Sequence, residues 1–256
     1  MQEISIIGLE GFPFVKTGDN LAILIVETTD KENISINNGD IIVIAQKVVS
    51  KANGRVVQPK TAKPSDRAEK VAEITSKDAR FVELVLKEAK RIVKASQEIL
   101  IVENKSGLIC INSGIDKSNV SGEDSFTLLP EDSDESARKI RAQIMKLTGK
   151  KVAVIISDTY SRPFRKGQVG FAIGLAGIHP FKDYRGQRDL FNYILRVKNV
   201  ALADEIASAA ELVMGQGAEG IPVAIVKNVR RAELDGTFSA ESLNISKEED
   251  LFKGTM

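Results

Sequence analysis

The strands and helices legible in the sequence interleave irregularly, an order compatible with an α+β protein of mixed sheets with packed helices and with neither a Rossmann nor a P-loop fold. Three observations bear on it. Apolar runs of buried-strand length, at 41–45, 152–156 and 221–226, interleave irregularly with amphipathic stretches at 66–93 and 132–149. The Gly-rich segment 215–220 follows a predicted helix instead of opening one, and it lacks the Lys-Ser/Thr ending of a Walker A loop. Two apolar runs, 99–102 and 108–111, flank the turn residues 103–107 as a hairpin.

Taken in order, residues 4–7 form a short strand that runs into the turn-rich loop Gly8, Leu9, Glu10, Gly11, Phe12, Pro13. Residues 21–26 read as another apolar strand. Gly39 and Asp40 turn the chain into strand 41–45, whose end delivers Gln46, Lys47 and Lys51. The two lysines can reach phosphates as point charges, or simply solvate a strand end. Ser65 or Asp66 caps a helix, and a break at 76–78 starts a second, with Val82, Val85, Leu86, Ala89, Ile92 and Val93 at helical spacing. The hairpin ends in a loop holding Asp116 and Asn119, which reads either as part of a cation site or as an Asx-turn cluster. Asp132 with Glu135 resembles a capping box for a helix striped by Ala137, Ile140, Ile144 and Leu147 and stopped by Gly149.

The chain centres on residues 152–178. An apolar strand there ends in Ser157, Asp158 and Thr159, an arrangement that suits a hard cation at a loop edge. The basic loop Arg162, Pro163, Phe164, Arg165, Lys166, Gly167 follows and can neutralise an anionic substrate. A charge-dense turn at 181–189, a strand at 194–200 and a small-residue helix at 201–214 come next. The segment Gly215, Gln216, Gly217, Ala218, Glu219, Gly220 either wraps a nucleotide or merely caps that helix. The polar tail 239–256 docks as a short helix or frays.

Composition narrows the chemistry. With 36 Lys+Arg against 35 Asp+Glu, the net charge of +1 provides no general attraction to nucleic acid. No apolar run approaches the ~20 residues that span a bilayer, and the first residues lack a secretory signal pattern, so a cytoplasmic protein is expected. The single histidine, His179, rules out a multi-His metal centre and reads as structural, and the single cysteine, Cys110, reads as a small core residue. Any metal must then rest on oxygen ligands, which points to Mg²⁺, Mn²⁺ or Ca²⁺. Four loops rich in glycine or oxygen donors, at 8–13, 112–119, 157–167 and 215–220, together suit phosphoryl transfer.

At these loops the sequence resembles the coenzyme F-420-0:γ-glutamyl ligase family. The resembling segments are AQKVVSKANG (45–54), GLICINSGIDKSN (107–119), LLPEDSDESARKIR (128–141), SDTYSRPFRKGQ (157–168), AIGLAGI (172–178), DYRGQRD (183–189), ADEIASAAELVMGQ (203–216) and GIPVAIVK (220–227). They run in one order through about 4–230. The resemblance implies an α+β architecture with two intertwined subdomains and a homodimer, with 1–230 as a single ligase unit and 231–256 as a C-terminal tail. It implies a GTP-dependent ligase that adds L-glutamate to the lactyl carboxylate of coenzyme F-420-0, then a further γ-linked glutamate. GTP would phosphorylate that carboxylate, and the glutamate amine would then expel phosphate from the acyl phosphate.

By the same resemblance Asp116 and Asp158 match ligands of one divalent cation, and Thr159 and Gln216 those of a second. Mg²⁺ or Mn²⁺ would fill both, with K⁺ as a further cation. Leu9, Glu10, Gly11, Phe12, Gln46, Lys47, Lys51, Asn119, Met214, Gly215, Gln216, Gly217, Ala218, Glu219, Gly220 and Ile221 look like the nucleotide-binding positions. Arg162 and Arg165 are added on charge grounds as stabilisers of a phosphate or acyl phosphate. Ser161 and Phe164 stand where many relatives carry Gly and Trp, and Gln216 is neutral where an acidic residue also occurs. A metal-dependent phosphohydrolase using the same aspartates is the alternative. Balanced charge argues against an RNA-binding module.

Overall fold

The computed structural model describes residues 3–230, 232, 234, 236–246 and 248–250. In chain order the elements are β1 (Ser5–Gly8), α1 (Leu21–Lys31), β2 (Ile41–Ala45), α2 (Gln46–Ala52), β3 (Val56–Val57), α3 (Asp66–Thr75), α4 (Ala79–Glu88), β4 (Ala89–Ser96), β5 (Ile99–Asn104) and β6 (Ile109–Ile111). They continue with β7 (Phe126–Thr127), α5 (Ser133–Thr148), β8 (Ala153–Ser161), β9 (Gln168–Ala176), β10 (Lys182–Asp183), β11 (Asn199–Val200), α6 (Leu202–Met214) and β12 (Val223–Lys227). Mixed parallel and antiparallel sheets with packed helices make this an α+β fold, as predicted. The chain divides into two compact units. One comprises Met1–Pro13, Leu21–Ala45 and Ser133–Met256; the other comprises Phe14–Asn20 and Gln46–Asp132.

The first unit is built on a five-stranded sheet of order β1-β12-β2-β8-β9, in which only the β2–β8 pair is parallel. The apolar runs of β2, β8 and β12 are explained by burial on both faces. Ile41, Val43, Ala153 and Ile155 pack with Ile206, Ala207, Ala210 and Met214 of α6. Strand alternation sends Ile42, Ile44, Val154 and Ile156 to the opposite face. Helix α5 lies close on β9: a Cβ at Gly174 would stand 2.5 Å from the Ser133 backbone, so only glycine fits. Asp134 in the first turn of α5 accepts hydrogen bonds from the Leu175 N–H, the Ser239 hydroxyl and the Ala240 N–H. These bonds dock the short 3₁₀ turn Ala240–Leu243 onto this unit, so the start of the polar tail docks instead of fraying. Residues 251–256 of that tail lie outside the described residues.

The second unit holds the three-stranded sheet β4-β5-β6, the pair β3-β7, and helices α2, α3 and α4. Its core gathers Val71, Val82, Val85, Leu100, Val102 and Leu128. Ser65 caps α3 by accepting from the Ala68 N–H, and Asp78 caps α4 by accepting from Arg80 and Phe81. The 99–111 hairpin is present as β5 and β6.

Several sequence expectations are corrected. Residues 21–26 open helix α1, not a strand. The buried positions Leu21, Ala22, Ile25, Thr28 and Thr29 follow helical spacing, and Thr28 and Thr29 turn inward by donating to the carbonyls of Leu24 and Val26. Residues 46–52 form helix α2, so Lys47 and Lys51 are a helical turn apart instead of lying at a strand end. The second helix of the predicted pair stops at Glu88. Ala89, Ile92 and Val93 belong to β4, whose β-branched residues pair with β5. Asp158 and Thr159 lie within β8, which continues to Ser161 through its pairing with β9. Of the strand predicted at 194–200 only β11 forms. Cys110 is half-buried in β6, between the exposed Ile109 and Ile111.

Candidate functional site

In the second unit, helix α2 and the loop after β6 bring predicted residues together. The Lys47 ammonium lies 2.7 Å from the Asp116 carboxylate and also donates to the Ser118 hydroxyl. One turn along, Lys51 donates to the Asn119 carbonyl at 2.7 Å. Asp116 further accepts from the Ser118 N–H and hydroxyl, at 2.7 and 3.0 Å. Desolvation pushes the Asp116 carboxyl up. The Lys47 hydrogen bond and charge, with the Ser118 N–H and hydroxyl, outweigh it and hold the group below the usual carboxylate range. Burial, then repulsion from Lys47, holds the Lys51 ammonium below the ordinary lysine value.

The loop that carries Asp116 is prepared by backbone in the left-handed region at Asn112, Ser113 and Gly114, with φ of 52°, 56° and 72°. Ser113 is buried and donates to the Val85 carbonyl. Gln46, another predicted contact, is buried and accepts from Ser50 at 3.0 Å, so its side chain serves α2 itself. A 350 Å³ cavity in this unit, walled by Arg55, Glu88, Lys105 and Glu131, contains none of the predicted positions.

In the first unit, Thr159 donates to the Gln216 side-chain oxygen at 2.9 Å and approaches the Glu211 carboxylate at 3.5 Å. The Gln216 amide nitrogen donates to the same Glu211 oxygen. Alternation along β8 sends Asp158 and Thr159 to opposite faces of the sheet, so one strand presents oxygen donors on two sides.

Two glycine loops of this unit hold carboxylate oxygens on backbone N–H groups: Gly11 donates to Glu32, and Gly217 to Glu219 at 2.7 Å. Leu9 is fully buried, with its N–H on the Val223 carbonyl, and so offers only backbone. Met214 is buried, whereas Glu10, Gly11, Gln216, Gly217, Ala218, Glu219 and Gly220 are exposed. Past the end of β8, the Arg162 Nε is buried without a partner among the described residues, while its Nη2 donates to the Lys166 carbonyl. Arg165 is exposed. The charged turn after 181 satisfies itself: Arg185 forks onto Asp183, and Asp189 accepts from Phe191 and Tyr193.

The donors at these positions are hydroxyl, amide and carboxylate oxygens, the set that suits a hard divalent cation. Among the described residues no three His, Cys, Asp or Glu side chains gather as a metal nest, so a cation would rest on mixed oxygens.

The sequence profile of F420-0:gamma-glutamyl ligases matches residues 11–228. The chain belongs to the F420-0:gamma-glutamyl ligase family. It is 43% identical over 251 residues to the coenzyme F420:L-glutamate ligase of Methanothermobacter thermautotrophicus, covering 98% of this chain and 99% of that one. To its counterpart in Methanocaldococcus jannaschii it is 44% identical over 254 residues, with 98% of each chain covered. To that of Archaeoglobus fulgidus it is 42% identical over 250 residues, covering 98% of this chain and 96% of the relative.

In this member of the F420-0:gamma-glutamyl ligase family, sequence reading missed three polar partners. Ser118 looks like one more loop serine. Glu32 lies 21 positions from the glycine it binds. Glu211 reads as a routine surface residue of an amphipathic helix, and only its proximity to Thr159 marks it.

Proposed function

We propose that this chain is a GTP-dependent ligase that joins L-glutamate to coenzyme F-420-0 and then adds a further γ-linked glutamate. The observation that carries this reading is the family match over 11–228, which spans every candidate position except Leu9 and Glu10. GTP would donate its γ-phosphoryl group to the lactyl carboxylate of F-420-0. The glutamate amine would then form the amide and release phosphate. The substrate carboxylate is the nucleophile in the first step and the amine in the second, so the protein acts by positioning the reactants and balancing their charge.

Asp116, Asp158, Thr159 and Gln216 are the proposed ligands of two divalent cations, Mg²⁺ or Mn²⁺, with K⁺ as a further cation. When bound, such cations offset phosphate charge. Lys47 and Lys51 supply fixed positive charge for the nucleotide phosphates. In the pair with Asp116, the Lys47 ammonium already occupies a cationic position on that carboxylate. Asn119 and Ile221 complete the proposed nucleotide positions, with Gln46 contributing through its backbone because its side chain is taken up by Ser50. The backbone N–H groups of Gly11 and Gly217, each on a carboxylate oxygen, support a role for both loops in gripping anionic oxygens. The orphan Nε of Arg162 supports a role in stabilising transferred phosphate, with Arg165 as its neighbour in the loop. A cytoplasmic homodimer is part of the same proposal.

The deciding experiment incubates the chain with GTP, Mn²⁺, L-glutamate and F-420-0 and reads product mass and phosphate release. The expected result is mass gain by glutamate units, with phosphate formed only when acceptor and glutamate are both present. Phosphate released at full rate without them favours the phosphohydrolase reading instead.

A further inference from the structure

We infer that Glu211 is the anionic ligand of the cation site to which Thr159 and Gln216 belong. The inference rests on the proposed role of those two residues and adds a member to it. A threonine hydroxyl and a glutamine amide are both neutral, and neutral oxygens alone hold a hard divalent cation weakly, because affinity follows ligand charge. The missing charge stands beside them. Thr159 lies 2.9 Å from the Gln216 oxygen and 3.5 Å from the Glu211 oxygen, and the Gln216 amide reaches that same Glu211 oxygen. Three oxygen-bearing side chains from a strand, a helix and the loop after that helix thus share one point.

Two further features point to a cation there. Glu211 sits in the last turn of α6, at the negative end of the helix dipole, where a carboxylate is disfavoured and a cation favoured. Among the described residues it makes no ion pair that would explain that placement. Room for it is built into the sheet. Gly170 is the direct strand partner of Thr159, and a Cβ there would stand 2.9 Å from the Ala207 carbonyl and 3.2 Å from the second Glu211 oxygen. Ser208 donates to the Gly170 carbonyl at 2.6 Å and pins α6 at that level. The two neighbours of Thr159 therefore differ in what they bring to a cation. Glu211, on the helix, supplies the charge, and Gln216, on the loop, supplies a neutral oxygen.

The test is Mn²⁺ titration of the full chain without nucleotide, read from the electron paramagnetic resonance of free Mn²⁺, alongside thermal unfolding. Wild type, Glu211→Gln, and Glu211→Gln combined with Gln216→Glu are compared. Glu211→Gln is expected to weaken Mn²⁺ binding by about 10- to 100-fold, the scale of losses at altered metal surroundings. The double variant, which moves the carboxylate to the adjoining ligand position, is expected to recover most of it. Unchanged Mn²⁺ affinity in Glu211→Gln overturns the inference while leaving Thr159 and Gln216 in place. Weakened binding without recovery in the double variant also overturns it, since that assigns Glu211 a structural role. Wild type that binds no Mn²⁺ overturns both this inference and the cation reading beneath it.

Discussion

The Lys47 ammonium lies 2.7 Å from the Asp116 carboxylate, joining helix α2 to the loop beyond β6 across 69 positions of sequence. Both side chains are partly exposed, so the pair contributes only about 0–1 kcal/mol to stability. On the proposed reading Lys47 serves ligand charge more than the fold. Lys47→Met is therefore expected to raise the KM for GTP at least about tenfold, the value of one lost charge-assisted contact. The melting temperature should move by no more than about 4 °C. A large melting shift with unchanged KM would contradict this division.

Asp158→Asn is expected to abolish ligation, measured by product mass, because an amide replaces an anionic oxygen of the proposed cation site. Far-ultraviolet circular dichroism should stay unchanged, since the β8–β9 ladder on either side of Asp158 is made by backbone. Wild-type turnover in this variant would remove Asp158 from the mechanism.

Arg162→Met is expected to lower kcat by about 10²–10³, the range for losing a donor aimed at developing negative charge. The KM for GTP should change far less, because such a donor acts mainly in the transition state. An unaltered kcat would show that the buried Nε serves the 162–167 loop alone.

Asp204 supplies a pH test. Desolvation raises its carboxyl above the usual carboxylate range, while the Ala172 N–H at 2.9 Å favours the anion and only partly opposes this. A carboxyl raised on folding contributes stability that is fully present below its unfolded value of about 3.9 and is lost as pH rises through the folded value. Asp204→Asn keeps an oxygen for Ala172 and removes the charge. The variant is expected to be more stable than wild type at neutral pH, with the difference vanishing in acid. Unfolding midpoints in urea from pH 3 to pH 8 measure this, and a gap that widens in acid would reverse the assignment.

Gly174→Ala tests the packing of α5 on β9. The added Cβ would meet the Ser133 backbone at 2.5 Å, and backbone cannot swing aside as a side chain can. The expected cost is about 1–3 kcal/mol by urea denaturation, in the range for overpacking. A neutral outcome would mean that α5 slides easily on β9.

The sequence alone determined whatever depends on a few neighbouring residues. Ser65 and Asp78 cap their helices, and Gly149 and Gly215 end theirs with positive φ, because caps and stops are decided within one turn of chain. Strands β2, β8 and β12 were legible because burial on both faces leaves an unbroken apolar run. The family resemblance followed from long local motifs and carried the α+β class with it; the irregular order of those runs was compatible with that class.

Tertiary structure alone decided the rest. The run at 21–26 is as apolar as any strand. It became a helix whose buried stripe continues into Thr28 and Thr29, with their hydroxyls donating to carbonyls of the same helix. The helical spacing of Ala89 to Val93 gave way to pairing with β5. Lys47, Asp116 and Ser118 met through loop closure, and Glu211 met Thr159 through the gap that Gly170 leaves between strand and helix. A sequence window carries propensity and periodicity over one or two turns. Which distant side chains meet is set by packing between elements, and no local pattern encodes that distance.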